Sequence, residues 1–210
     1  MKFDKLFILF LFINLSLTLK AQVCTSVENQ FATELKQKSS EVHDIRCAFI
    51  QTQSLSILNN RVVKKGNFYY KRPERILLAF DQGDFIFMSS DMFSMRNSGK
   101  NTAIKVDKNP MLRELKKILS ACMTGNVLNV AEEFNKEISA EQNGYVLKML
   151  PKKKRTAAKV KNIILTFNKK NMCLDQMVMN LPNGDFTQYE FLTKDINTNF
   201  DDDIFNTTKL

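Results

Sequence analysis

The side chains that could do chemistry are few and badly grouped for catalysis. His43 is the only histidine in the 210-residue chain, so any histidine-based triad must be built around it, and no G-x-S-x-G turn presents a serine. Ser98-Gly99-Lys100-Asn101-Thr102 ends like a phosphate-binding loop, but Ser94 holds the first glycine position and Asn101 follows the lysine, so the stretch reads as a turn. Asp201-Asp202-Asp203 lacks calcium-loop spacing and reads as a solvated acidic patch. Cys24, Cys47, Cys122 and Cys173 form no CxxC pair, which argues against zinc. Neither a metal nor a cofactor is expected, and the chain is read as a non-enzyme.

Binding chemistry is better represented. Within GNFYYKRPERILLAF, residues 66 to 80, Arg72 interrupts two extended apolar runs, and a guanidinium on an apolar face needs acceptors. If the pleat continues through Pro73, positions 68, 70, 72, 76, 78 and 80 share one face. Lys152-Lys153-Lys154-Arg155, with Lys159 and Lys161 behind it, reads as a solvated hairpin loop, with docking to acidic lipid headgroups as its functional alternative. No aromatic pattern accompanies the lysines, so nucleic acid is not an expected partner.

These residues need elements to position them. Val27, Phe31 and Leu35 recur every four positions and predict a helix over 25 to 38, capped by Thr25 or Ser26. Alternating runs predict strands at 46 to 57, 62 to 72, 75 to 80, 84 to 89, 93 to 96 and 102 to 106. Asn109-Pro110 opens a second helical pattern through Leu112, Leu115, Ile118, Leu119 and Cys122, with Gly125 at its end and a looser helical piece at 127 to 134. Beyond residue 135 the chain reads as antiparallel hairpins, with turns at Asn143-Gly144 and at Pro182-Asn183-Gly184-Asp185.

Many strands and few helices predict an α+β fold: a strongly curved antiparallel sheet, with helices covering one side. The pleat gathers Phe49, Phe68, Tyr70, Ile76, Leu78, Phe80, Leu147, Met149, Leu165, Phe167, Met177 and Met179 onto an apolar face, together with Tyr145 and Ile163. Two readings of that face stay open: an ordinary core, or an adaptable cavity lined by flexible methionines.

Residues 1 to 21 have the parts of a cleaved secretory signal: Lys2 and Lys5, an apolar stretch from Leu6 to Leu19, and Ala21 before the cut. Residues 22 to 210 then form a single domain. Removing Lys2, Lys5, Lys20 and Asp4 takes 31 basic and 22 acidic residues to 28 and 21, a net +7 that favours acidic partners without choosing among them. Four cysteines in an oxidising compartment allow three disulfide connectivities. Val23 precedes Cys24 where bacterial lipidation wants a small residue, so an unacylated chain is expected.

Three motifs occur in a recognisable order. Phe49-Ile50-Gln51, then Gly66-Asn67-Phe68-Tyr69-Tyr70-Lys71-Arg72-Pro73, then the Ser89-Ser90-Asp91 turn resemble the periplasmic outer-membrane lipoprotein carrier family of the LolA type. GYVLKMLPK, residues 144 to 152, stands where that family has a similar strand, and Asp203-Ile204-Phe205 resembles its last strand. Met92 replaces the glycine after Ser-Asp, Ile76 stands where an aromatic often sits, and the tryptophans common in the family are missing.

The resemblance implies a half-open β-barrel with an α-helical lid over its concave apolar face, whose hollow carries the acyl chains of lipoproteins from the inner to the outer membrane. It implies Arg72 as a latch on lid backbone, with Val27, Phe31, Leu35, Leu112, Leu115 and Leu119 as the lid's apolar face. It also implies a monomer whose partners are acylated lipoproteins, an inner-membrane ABC-type release complex and an outer-membrane acceptor. The alternative is a related binder of another lipid, or a membrane-anchored acceptor.

Overall fold

The computed structural model describes residues 26–56, 60–90, 92–105, 110–130 and 134–206, except the side chains of 103–105 and 110–115. The expected signal peptide, Cys24 and Thr25 lie outside the described residues.

Helix α1 covers 26–40, its Gln30 side chain donating to Glu34 one turn on (2.8 Å). Six strands follow as a meander: β1 (Asp44–Leu55), β2 (Asn60–Lys71), β3 (Arg75–Phe80), β4 (Phe85–Met88), β5 (Met92–Asn97) and β6 (Lys100–Lys105). Then come α2 (Pro110–Thr124) and the single turn α3 (Val127–Val130). Strands β7 (Phe134–Ala140) and β8 (Gly144–Pro151) are followed by the short helix α4 (Lys154–Ala157), and β9 (Asn162–Asn168), β10 (Leu174–Asn180) and β11 (Phe186–Ile196) complete the second half. A 3-10 turn, Asp202–Phe205, comes last.

All the strands form one antiparallel sheet in the order β6-β5-β4-β3-β2-β1-β11-β10-β9-β8-β7. Both meanders run outward from the central β1–β11 pair, so β6 and β7 are opposite edges. The segment joining them, which contains α2 and α3, must therefore pass across the sheet. Twist accumulated over eleven strands makes an open sheet of this size curve.

Register fixes the faces. Ile45, Tyr70 and Ile76 stand in line across β1, β2 and β3, as do Cys47, Phe68 and Leu78. In the other half, Met149 pairs with Ile163 and Ile163 with Met179, while Leu147, Leu165 and Met177 form the next row. Gly66 lies between Phe49 and Phe80, whose rings meet edge-on at 5.2 Å; a Cβ there would run into the Ala79 carbonyl.

Several local expectations shift. Residues 72–74 are a hairpin turn between β2 and β3, so the pleat does not run through Pro73 and Arg72 is not on the strand face. The shared parity survives because Tyr70 faces Ile76 across the hairpin. The β7–β8 turn is Gln142-Asn143, closed by Glu141 N–H donating to Gly144 O (2.8 Å), one residue earlier than expected. Ser98 and Gly99 both take positive φ (53° and 77°) in the two-residue β5–β6 turn. The basic run is not simply a loop, since Lys154 and Arg155 open α4. Residues 203–205 form a 3-10 turn rather than a strand.

Candidate functional site

All twelve residues expected on the apolar face are brought together in one buried cluster, from Phe49, Phe68, Tyr70, Ile76, Leu78 and Phe80 to Leu147, Met149, Leu165, Phe167, Met177 and Met179. Helical residues complete it. Phe31 and Leu35 of α1 are buried there, Val27 is partly buried, and α2 adds Ile118, Leu119, Cys122 and Met123. The Phe31 ring packs on Tyr145 (5.3 Å) and edge-on to Phe167 (5.2 Å), which places α1 against β8 and β9. Leu112 and Leu115 belong to α2, and their side chains lie outside the described ones.

Close approach at the helix ends has a simple cause. Gly125 ends α2 with φ 74°, and a Cβ there would collide with Ser39 Oγ of α1. The helices therefore meet at the C-terminal turn of α1.

Two openings are lined by described residues. A cavity reaching this face, lined by Ile45, Cys47, Phe68, Met123, Phe191 and Lys194 among others, measures only about 10 Å³, too small for more than one water. At the other end of β2 and β3, Val63, Lys64, Phe80 and Asp84 help to line a surface cleft of about 370 Å³.

Polar groups mark the rim. Arg72 is exposed, and its Nη2 donates to the carbonyls of Ser39 (2.6 Å) and Ser40 (3.2 Å) at the end of α1, the first of which also accepts from Val42 N–H (3.2 Å). Arg72 N–H also donates to His43 O (3.0 Å), so side chain and backbone both face the α1–β1 connection. His43 itself is exposed, and its ring enters no catalytic grouping. A second polar tie joins α1 to the sheet: Tyr145 Oη donates to Glu34 (3.1 Å).

Gln51, the last residue of the Phe49-Ile50-Gln51 motif, is buried and donates to Tyr189 Oη (2.7 Å), a partner the motif did not reveal. Burial pushes the Tyr189 phenol up to about 12, so it stays neutral. The odd-numbered alternation in β1 was the available signal. Cys47, Cys122 and Cys173 are unpaired and buried, and burial raises all three thiols, Cys47 to about 12 and Cys173 to about 11. None of the three connectivities is formed among the described cysteines. Inert thiols of this kind act as small apolar side chains. Among the described residues, no group of three or more His, Cys, Asp or Glu could hold a metal ion.

The opposite face carries a second, smaller buried cluster. Leu77, Phe85 and Phe87 are covered there by Phe205, with Phe200 and Ile204 alongside. Asp202 fixes this C-terminal segment by bridging Lys71 (2.6 Å) and Arg75 (2.9 Å), the two cations either side of the Arg72 turn. Hydrogen bonds from both hold its carboxyl at about 2, so it is a paired carboxylate and not merely a solvated acid. Further back, the buried Asp44 carboxylate accepts from Thr198 N–H (2.9 Å) and Asn199 N–H (3.0 Å).

The architecture is thus an open, curved antiparallel sheet with an apolar face on which helices pack. The chain belongs to the outer membrane lipoprotein carrier protein LolA family, whose model matches residues 40–208. No curated protein matches significantly. Among solved structures, the fold is shared with the Pseudomonas aeruginosa MucA/MucB complex (8% identity, TM-score 0.52), the match covering 84% of this chain and 59% of that one. An uncharacterised conserved protein from Thermus thermophilus matches at 7% identity and TM-score 0.52, over 85% and 92%. A LolA superfamily protein, NE2245 from Nitrosomonas europaea, aligns at 10% identity and TM-score 0.42 over 85% and 99%. No helix among the described residues is long and apolar enough to cross a membrane.

Proposed function

We propose that the chain is a periplasmic carrier that takes the acyl chains of lipoproteins onto the apolar face of its sheet and shuttles them from the inner to the outer membrane without catalysis. Its first 21 residues act as the export signal. In this reading α1 and α2 form a lid over a concave face. The observation that carries the reading is the pair of bonds from Arg72 to the Ser39 and Ser40 carbonyls, at the end of the helix whose Phe31 and Leu35 fill the sheet.

The energetics permit exchange. Burying a side chain such as Phe31 or Leu35 is worth ~1.5–3 kcal/mol, and each buried methylene of an acyl chain ~0.8 kcal/mol. A chain of a dozen or more carbons thus exceeds what the two helix residues contribute, while the cost of opening keeps net binding moderate. Such a carrier can both load and release.

Native mass spectrometry of the protein purified from its own periplasm tests this. Co-purified acylated polypeptide is the expected result. Free glycerolipid would redirect the reading to a carrier of another lipid, and lipid-free protein that rejects lipopeptide would overturn it.

A further inference from the structure

We propose that Tyr70 provides a polar subsite for the carbonyl oxygen of an acyl ester or amide, where the apolar face meets the Arg72 turn. This rests on the lipid-binding reading above and names the ligand group that reading leaves unspecified. Tyr70 is wholly buried (0% exposed), yet its hydroxyl has no hydrogen-bond partner among the described residues. The one other buried side-chain oxygen or nitrogen in that condition among them is Ser120 Oγ on α2. An unpaired buried hydroxyl is destabilising, and a phenylalanine would fill the same space without that penalty.

The surroundings indicate what the hydroxyl can recognise. Ile45 and Ile76 stand opposite Tyr70 on the two neighbouring strands, so its row on the sheet is apolar. The nearest charge is Arg72. Its Nη2 is given to the Ser39 and Ser40 carbonyls, and the phenol oxygen is left without a hydrogen-bond partner among the described residues. Burial raises the phenol's pKa against the opposing influence of Arg72, which leaves a neutral O–H donor.

When the end of α1 leaves Arg72, a neutral donor and a cationic one are freed together at the edge of an apolar surface. Two adjacent donors suit an oxygen with two lone pairs, and the apolar surface suits a molecule that is otherwise hydrocarbon. An acyl carbonyl satisfies both conditions. An alkyl ether oxygen also has two lone pairs but is a weaker acceptor than a carbonyl.

The test compares the binding of monopalmitin and hexadecyl glyceryl ether, which share chain length and glycerol head but differ in the carbonyl, to the wild type and to Tyr70→Phe. The wild type is expected to favour the ester by about fivefold, the value of one ordinary hydrogen bond. Tyr70→Phe should lose that preference while its thermal midpoint stays level or rises, since no native hydrogen bond is removed. A preference that survives in Tyr70→Phe, or a wild type without one, would overturn the subsite. So would a lowered midpoint, which would reveal a structural partner for the hydroxyl. A wild type that binds neither lipid would reject the lipid reading as a whole, and the subsite with it.

Discussion

The two faces of the sheet are covered by different means. On the inner apolar face, α1 is held by Phe31 and Leu35 in the core, with the exposed Arg72 bonds and the Tyr145–Glu34 bond at its margins. On the opposite face, Phe200, Ile204 and Phe205 are also apolar, but their segment is tied down by Asp202 to Lys71 and Arg75 and by Asp44 to Thr198 and Asn199. Apolar contacts are non-directional and another apolar molecule can replace them; paired carboxylates cannot be replaced that way. In the proposed carrier, the inner cover is the one that is exchanged and the outer one stays.

Removing the main anchor of the inner cover should have the largest effect. Phe31→Ala is expected to cost about 3–5 kcal/mol in urea denaturation of the empty protein, the usual range for a buried phenylalanine. Bound lipopeptide should recover much of that loss. An equal loss with and without lipopeptide would break the comparison, because Phe31 would then be ordinary core.

Asp202→Asn probes the outer cover. It should lower the thermal midpoint at neutral pH and leave lipopeptide affinity unchanged. Because the folded-state pKa lies below the ordinary 3.8, at about 2, the Asp202 contribution is complete above that ordinary value and disappears as pH falls through about 2. The difference between wild type and variant should close over that window, and a pH-independent difference would point to packing instead.

Arg72→Leu should change stability least, by about 1 kcal/mol, because the residue is exposed and only its bond to Ser39 is partly shielded from water. Its effect should appear in transport: lipid is accepted but released slowly to acceptor membranes. Unchanged transfer would reduce Arg72 to an ordinary turn residue capping α1.

The sequence is most legible where periodicity governs. Alternation alone assigns Phe68, Tyr70, Ile76 and Leu78 to one face, and Pro110 and Gly125 bound α2 by their backbone preferences. It is least legible where the outcome depends on distant partners. Asp202 reads as solvated because Lys71 and Arg75 lie about 130 positions earlier, and nothing local reports that the chain returns to them. Arg72 is legible as a residue needing acceptors, but its place in a turn is not, since two strands of matching parity look alike with or without a reversal between them. Whether a curved apolar face is hollow or filled is a matter of summed volumes, which alternation does not encode.

Amide hydrogen exchange with and without a bound lipopeptide tests the central claim most directly. Loading should strip protection from the amides of residues 26–40 and leave 197–206 as protected as before. Equal protection of residues 26–40 in both states, with lipopeptide demonstrably bound, would contradict it.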